Sequence, residues 1–222
     1  MAAYIHAAMS VLSVALLGFL LGVRHAVDPD HVVAVSTIAA RTPTFRRAAS
    51  VGALWGLGHT MTILGVGGAI VLMRVAITPR VALAMEFSVA LMLIVLGFQN
   101  LASARNANPP APSLTRPLFV GMVHGMAGSA AVALLVLATV RDTVWALAYL
   151  TLFGLGTVLG MVIVTGLIAV PASLAMSRVR NARRWLTLAS GVASVVLGIM
   201  LASELTKGDG GLFSASPAWT PR

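Results

Sequence analysis

Six long stretches of the chain contain no Asp, Glu, Lys or Arg, and they limit the folds that the chain can adopt. One α-helix needs about 20 consecutive apolar residues to cross the hydrocarbon core of a bilayer. Each stretch is near or above that length, and the fifth is long enough to include some loop. We therefore predict an all-α integral membrane protein with six transmembrane helices. The stretches are Met1–Val23, Ala48–Met73, Phe87–Ala104, Pro117–Val140, Thr143–Ser177 and Trp185–Ser203.

The overall composition agrees with a membrane protein and excludes several other classes. Apolar residues make up 59% of the chain and charged residues only 9%, against about 25% charged residues in soluble domains. The net charge of +9 comes from basic residues dispersed between the apolar stretches, a pattern typical of membrane-protein loops, so we expect no nucleic-acid partner. The absence of cysteine excludes disulfides and thiolate metal ligands.

The basic residues also predict an orientation in the membrane. Nine of the 15 Lys and Arg residues fall in the first, third and fifth connections, and five fall in the second and fourth connections and the C-terminal tail. Because cytoplasmic connections carry the excess of Lys and Arg, we expect both termini outside. Residues 1–203 are expected to form a single polytopic membrane domain, and residues 204–222, rich in Gly, Ser and Pro, a flexible tail.

The sequence repeats itself weakly at an offset close to 100 residues. Gly22-Val-Arg-His25 resembles Gly121-Met-Val-His124, Trp55-Gly-Leu-Gly58 resembles Phe153-Gly-Leu-Gly156, and Val95-Leu-Gly-Phe98 resembles Val196-Leu-Gly-Ile199. The three matches keep the same order, at offsets of 99, 98 and 101. A three-helix unit has an odd number of spans, so its second copy must insert upside down. We therefore expect a 3+3 inverted repeat, an architecture of transporters, with copies in about residues 1–104 and 117–203.

The most polar segment, Arg24-His-Ala-Val-Asp-Pro-Asp-His31, lies between apolar residues. Histidines and aspartates at membrane depth cost free energy unless they are paired or bind an ion. Pro29 has no N–H for the carbonyl of His25 and disfavours helical angles at Asp28, so we predict that the first helix breaks here. In an unbroken helix, His25 and His31 would point about 240° apart. The break would let His25, Asp30 and His31 converge on a cation.

Asp28 has two explanations that require no ion. It could cap the short helix that begins at Pro29, since proline is favoured at the first helical position. It could also pair with Arg24, four residues earlier on the same helix. Metal ligation is the third alternative, and the sequence does not choose among them.

Two further histidines lie inside predicted spans, each beside glycines. His59 follows Gly56-Leu-Gly58 in the second span, and His124 lies between Gly121 and Gly125 in the fourth. A lone membrane histidine is often only a hydrogen-bonding residue between helices, and glycines at GxxxG spacing let helices pack closely. We take both histidines as candidate metal ligands, His124 as one that completes or gates the site. We assign Gly56, Gly58, Gly121 and Gly125 to helix packing.

The donor types narrow the choice of metal. Imidazole and carboxylate ligands without thiolate suit Ni(II), Co(II) or Zn(II) better than a soft ion such as Cu(I). Met61, Met122 and Met126 lie near the histidines and leave copper open, although methionine in apolar helices usually fills space. Glu86, six residues after Arg80, could couple transport to protons. Its place near an interface favours a residue that is paired or reaches toward the headgroups.

These segments resemble the motifs of one transporter family. His25-Ala-Val-Asp-Pro-Asp-His31 resembles the HxxxxDH signature of the nickel/cobalt transporter (NiCoT/NicO) family, and Leu57-Gly-His59-Thr60 resembles its second motif. Gly121-Met-Val-His-Gly-Met-Ala-Gly-Ser129 resembles a segment of the shorter, urease-accessory or nickel-transport-like branch. The resemblance covers about Val11 to Leu201. It implies a polytopic permease that binds Ni(II) or Co(II) through the first motif, with His25, Asp28, Asp30 and His31 matching position by position.

Two functions of different classes follow from these observations. The first is uptake of a divalent transition-metal ion through the bacterial inner membrane for metalloenzyme maturation. The metal would then be the substrate, with the lipid bilayer as the other partner, no cofactor and no enzymatic activity; a homo-oligomer stays open. The alternative is an intramembrane zinc hydrolase, with a catalytic zinc on His25, Asp30 and His31, His59 as a further candidate ligand, and an open position for water. The inverted repeat and the packing glycines favour the permease.

Overall fold

The computed structural model describes residues 2–39, 44–74, 77–105, 113, 115–140 and 142–219, and their side chains except at 2–12, 14 and 128–139. The predicted connections lie partly outside these ranges. Every regular element in the described residues is helical, which confirms the all-α class. The elements are α1 (Ala2–His25), α2 (Pro29–Ala39), α3 (Phe45–Thr62), a π-helical segment (Ile63–Gly67), α4 (Gly68–Met73), α5 (Pro79–Ser103), α6 (Thr115–Thr139), α7 (Thr143–Arg178) and α8 (Ala182–Thr206).

Four helical segments among the described residues are long and apolar enough to cross a membrane, and each overlaps a predicted span. They are Phe45–Met73, Pro79–Ser103, Thr143–Arg178 and Ala182–Thr206. The two other predicted spans, Met1–Val23 and Pro117–Val140, correspond to α1 and α6, whose side chains are described only in part. Within α1, Ala15–His25 forms a shorter apolar helix. The chain is therefore a helical membrane protein.

The fifth stretch contains no loop, contrary to expectation. α7 runs without interruption for 36 residues, with Pro171 inside it. Its first turn is capped by Asp142, whose Oδ1 accepts hydrogen bonds from the N–H groups of Val144 and Trp145 at 2.9 and 3.1 Å. A single proline removes one backbone hydrogen bond, and no glycine or second proline follows it in α7 to end the helix. The long apolar run is consequently one helix.

The first helix breaks where Pro29 predicts it. α1 ends at His25, and α2 begins at Pro29. Between them, the N–H groups of Val27 and Asp28 donate to the carbonyls of Arg24 and His25 at 2.9 and 3.1 Å, which forms a tight turn. α2 then lies inside the bundle, where Ala34, Val35 and Ile38 belong to the central apolar core. The turn therefore directs a short helix into the protein interior.

The closest helix contacts occur at glycines. A Cβ on Gly22 would overlap the carbonyl of Phe153 in α7, and one on Gly121 would overlap the carbonyl of Trp55 in α3. Gly58 meets the Leu118 carbonyl of α6 in the same way. The other two glycines assigned to packing also lie at contacts: a Cβ would stand 2.7 Å from Val158 Cα at Gly56 and 2.6 Å from the His59 carbonyl oxygen at Gly125. These positions admit only glycine without a shift of the backbone.

The order of these contacts gives the relative directions of the helices. Along α1 and α7 the contacts advance together, from Gly18 at Tyr149 to Val23 at Gly160, so the two helices are parallel. α3 and α6 are parallel for the same reason, since Trp55 meets Gly121 and His59 meets Gly125. α3 is antiparallel to α7, and α5 is antiparallel to α8, because their contacts run in opposite order.

The C-terminal residues lie against the bundle. α8 continues to Thr206, so the first three residues of the predicted tail are helical. Beyond it, the Leu212 N–H donates to the Leu205 carbonyl at 2.8 Å, and the Leu212 side chain joins a buried cluster with Leu83 and Leu205. Residues 207–219 thus fold back onto α5 and α8, and the flexibility of this tail stays a prediction.

Substitution of Gly58 by alanine should destabilise the fold, because the new methyl group would meet the Leu118 carbonyl in a contact with no space for it. Overpacking of this kind costs about 1–3 kcal/mol. The apparent melting temperature of the purified protein in detergent should fall. Gly65→Ala is the matched control, since a Cβ there meets nothing within 4 Å. Equal melting temperatures for both variants would contradict the packing assigned to Gly58.

Candidate metal centre

Four histidines from four different helices meet in the interior of the bundle. His25 ends α1, His31 lies in the first turn of α2, His59 lies at the midpoint of the helical segment Phe45–Met73, and His124 lies in α6. Ring centroids are 4.4 Å apart for His25 and His31, 5.1 Å for His31 and His59, and 3.9 Å for His31 and His124. His31, His59 and His124 are at most 2% exposed. The turn before Pro29 and the glycine contacts together produce this convergence.

The candidate ligand atoms form two overlapping groups. One contains His25, His31 and His59, and the other contains Asp30, His31 and His124; within each group the ligand atoms lie within 4.8 Å of one another. Three atoms at such distances lie within about 2.8 Å of a common centre, whereas imidazole–metal bonds are near 2.1 Å. Each side chain would therefore move by about 0.7 Å or less to bind one ion. His31 belongs to both groups and joins them into one site.

Two aspartates orient three of the four imidazole rings. His25 Nδ1 donates to Asp28 Oδ2 at 2.8 Å, His31 Nδ1 donates to Asp30 Oδ1 at 3.2 Å, and His124 Nε2 donates to Asp30 Oδ2 at 2.9 Å. A carboxylate can only accept, so each of these ring nitrogens carries the proton. The opposite nitrogen of each ring then keeps its lone pair for a metal. Hydrogen bonds of this kind, from a ligating histidine to a carboxylate, are typical of metal centres.

The ring nitrogens that remain have no hydrogen-bond partner in the described part of the chain. They are His25 Nε2, His31 Nε2, His124 Nδ1 and both nitrogens of His59, and all of them are buried. A buried polar atom without a partner costs about 1–3 kcal/mol, and native structures contain few of them. Four of these atoms, one on each ring, can offer a lone pair, and their lack of a partner is explained if they bind a cation. The donor set of imidazole and carboxylate suits Ni(II), Co(II) or Zn(II).

The position of Asp28 agrees with one of the three interpretations drawn from the sequence, the cap of α2, and its side chain has a partner that none of them named. Its backbone carbonyl accepts from the Val32 N–H at 3.0 Å, so it occupies the position that caps α2. Its side chain binds His25, and no ion pair with Arg24 is found among the described residues. Asp28 therefore both begins the short helix and holds the His25 ring.

Two aromatic residues next to the site were not identified from the sequence. The Trp55 ring lies 5.9 Å from the His124 ring, and the Phe153 ring lies 5.4 Å from the His25 ring. The sequence did contain a signal for them. Trp55 and Phe153 begin the matching segments of the weak repeat, and His25 and His124 end another matching pair. The two aromatic–histidine contacts are thus equivalent positions of the repeat.

A cavity of about 430 Å³ adjoins the site. His25, His31 and His124 line it together with both aspartates of the first motif, and Glu86 of α5 lies on its wall. The remaining walls are largely apolar, with residues such as Val89, Ala127 and Leu197. The cavity thus brings three of the four histidines and both aspartates of the first motif to one open space.

Comparisons with known proteins assign the chain to a family. The model of the family described as "NicO: High-affinity nickel-transport protein" matches residues 11–108. The chain is also 36% identical over 208 residues to the urease accessory protein UreH of Bacillus sp. (strain TB-90), an alignment that covers 86% of this chain and 91% of that protein. The chain belongs to the NicO family. No solved structure matches the chain significantly.

Membership of the NicO family confirms the resemblance drawn from the first two motifs, which both lie within the matched residues. It also confirms the prediction of a permease for nickel-type ions rather than an enzyme. Neither comparison supports the zinc hydrolase. The metal is accordingly a transported substrate of this NicO family member.

Substitution of His59 by glutamine should weaken nickel binding by the purified protein, because its ring lies beside the His31 ring and neither of its buried nitrogens has a hydrogen-bond partner among the described residues. Loss of a ligand or of its support typically lowers metal affinity 10–100-fold, that is, by about one to two orders of magnitude. Isothermal titration with Ni(II) measures this change. His6→Gln is the control, since the two histidines His6 and His25 are separated by about 28 Å along α1. Equal affinities for both variants would remove His59 from the site.

Proposed function

We propose that the protein takes up Ni(II) or Co(II) through the bacterial inner membrane, with the histidine cluster as its transport site. The observation that carries this proposal is the set of buried, unpartnered imidazole nitrogens from four helices in a member of a nickel-transport family. The name of the relative, a urease accessory protein, supports a role in supplying metal to an enzyme such as urease. The residues of the proposed metal site are His25, Asp28, Asp30, His31, His59 and His124.

These six residues have distinct tasks in the proposed site. The four histidines bind the ion through their unprotonated nitrogens. Asp28 and Asp30 fix the rings and supply two negative charges, which balance the charge of a divalent ion in a medium of low dielectric constant. Imidazole donors favour a transition metal over Mg²⁺ or Ca²⁺, which prefer oxygen ligands. The site is therefore neutral when occupied and selective by donor type.

We also propose six spans arranged as a 3+3 inverted repeat in one membrane domain. The glycine contacts support it: the contact of Gly22 with Phe153 is equivalent to that of Gly121 with Trp55, at the offsets of 99 and 98 found in the sequence. The contact of Gly97 with Gly191 is likewise equivalent to that of Gly198 with Ala90, at an offset of 101. Pairing of α1 with α7 and of α6 with α3 is the pattern that a two-fold relation requires.

The proposed repeat explains the location of the site. His25, His31 and His59 come from the first copy, and His124 comes from the second. Asp30 connects the copies through its hydrogen bonds to His31 and His124. Transporters with inverted repeats bind their substrates at such an interface, where relative motion of the two copies opens the site to either side.

The variants His31→Gln and Asp30→Asn should lower nickel uptake by cells under limiting metal by about tenfold or more, because each weakens coordination while keeping approximate size. Uptake of radioactive nickel, normalised to the amount of protein in the membrane, measures the effect. Asp209→Asn, an exposed change of the same kind, should transport at the wild-type rate. If His31→Gln and Asp30→Asn also do so, the proposed ligand set is wrong.

A reporter fused after Arg222 should lie outside the cytoplasm, because the nine basic residues of the first, third and fifth connections hold those connections in the cytoplasm. Alkaline phosphatase should be active there, and green fluorescent protein should not fluoresce after export. Fusions within Arg178–Arg184 should behave in the opposite way. A fluorescent C-terminal fusion would overturn the orientation.

A further inference from the structure

Glu86 of α5 lies between two cavities. It lines the cavity of about 430 Å³ beside the histidine cluster, and it also lines a second cavity of about 190 Å³. The second cavity lies between the start of α5 and the end of α8, with Leu83 and Leu205 on its walls. The C-terminal segment also lines it, through Lys207, Gly210, Gly211, Ala218 and Trp219. Glu86 is thus the residue that lines both the cavity beside the histidine cluster and the cavity at the end of the bundle.

Carboxylates are concentrated along these two cavities. The chain has six acidic residues in a protein of net charge +9, and four of the six line one cavity or the other. The four are Asp28, Asp30, Glu86 and Glu204. A divalent cation is repelled by the net charge of the protein but attracted into a cleft of negative charge with apolar walls. The positions of these four carboxylates favour the approach of a cation through the two cavities.

The larger cavity, beside the histidine cluster, is lined by buried side chains that can bind a cation. His31 and His124 line it, are 1% and 2% exposed, and each has a ring nitrogen without a partner. This observation is independent of the carboxylates. A cation that passes Glu86 therefore reaches imidazole donors without leaving the cavity.

The C-terminal segment covers Glu86. The indole N–H of Trp219 donates to Glu86 Oε1 at 2.7 Å. A guanidinium nitrogen of Arg80 donates to the Ser214 carbonyl at 2.9 Å, and the buried Leu212 side chain holds the middle of the segment. The contact of Trp219 occupies an oxygen that a cation entering here would need.

We propose that Glu86 is the entry residue for the metal ion and that residues 207–219 form a lid, closed by the bond from Trp219 to Glu86. A divalent cation on the Glu86 carboxylate competes with the neutral indole N–H for the same oxygen, so arrival of the ion opens the lid. The assignment of the ion rests on the proposed transport function. The lid itself can be tested without transport.

The lid is tested by thiol labelling. The natural chain has no cysteine, so Ala127→Cys, which places a thiol on the cavity wall, is a unique reporter. In the detergent-purified protein, Trp219→Phe should make this thiol react severalfold faster with a charged methanethiosulfonate, because the ring is kept and only the N–H is lost. Trp185→Phe, an exposed tryptophan at the start of α8, should leave the rate unchanged. Equal rates with and without Trp219→Phe would overturn the lid.

The entry role of Glu86 is tested by the concentration dependence of nickel uptake. Glu86→Gln keeps an oxygen acceptor for Trp219 but removes the charge, so the half-saturating nickel concentration should rise about tenfold while the maximal rate is kept. Asp142→Asn removes an acidic charge outside both cavities and outside the lid, keeps a side chain that can cap α7, and should change neither value. An unchanged half-saturating concentration in Glu86→Gln would overturn this role.

The two proposals fail in distinguishable ways. If His31→Gln abolishes uptake and Glu86→Gln has no effect, the transport site stands and the entry role is wrong. If His31→Gln transports at the wild-type rate, the transport site is wrong, and a change of thiol labelling in Trp219→Phe still supports a lid over the cavity.

Discussion

Close backbone contact between helices at glycine is the constraint on which the metal site depends. Gly22 and Gly121 each lie three residues before a histidine of the cluster, and each contacts the backbone of a partner helix. A side chain at either position would separate the helices and move His25 or His124 away from the centre. His59 directly follows Gly58, which meets α6 in the same way. The glycines that pack the helices and the histidines that form the site are therefore neighbours in the sequence, so a substitution at one of these glycines would also displace a histidine.

Local chemistry explains which features could be predicted from the sequence. Pro29 breaks the first helix through its own missing N–H, so the break and the convergence of His25 with His31 needed no knowledge of the partners. Hydropathy likewise predicted the four spans that the described residues contain. The contact between Glu86 and Trp219 could not be predicted, because the two residues are 133 positions apart and no periodic pattern in the sequence relates them. Only the weak repeat could have pointed to Trp55 and Phe153.

The pairing of histidines with carboxylates distinguishes this cluster from a structural histidine network. Asp30 accepts from both His31 and His124, which leaves the unprotonated nitrogens of these rings without any donor. A network that served only stability would pair those nitrogens with hydroxyl or backbone donors, since unsatisfied groups destabilise the fold. The chain places Thr60 one residue from His59, yet the Thr60 hydroxyl donates to the Gly154 carbonyl and not to the ring. The unprotonated ring nitrogens of the cluster therefore have no hydrogen-bond donor among the described residues, as a site for a cation requires.

Asp30 also determines how release of the ion can be coupled to motion. It is the one aspartate of the first motif that bonds histidines on two helices, His31 on α2 and His124 on α6. A movement of α2 relative to α6 would break one of these bonds and, in the same step, separate the ligands that both groups share through His31. A cation bound to the unpartnered ring nitrogens of His31 and His124 would add a second link between the same two helices. Opening and loss of affinity would then be one event, because the two rings that would bind the ion are the two rings that Asp30 joins across α2 and α6.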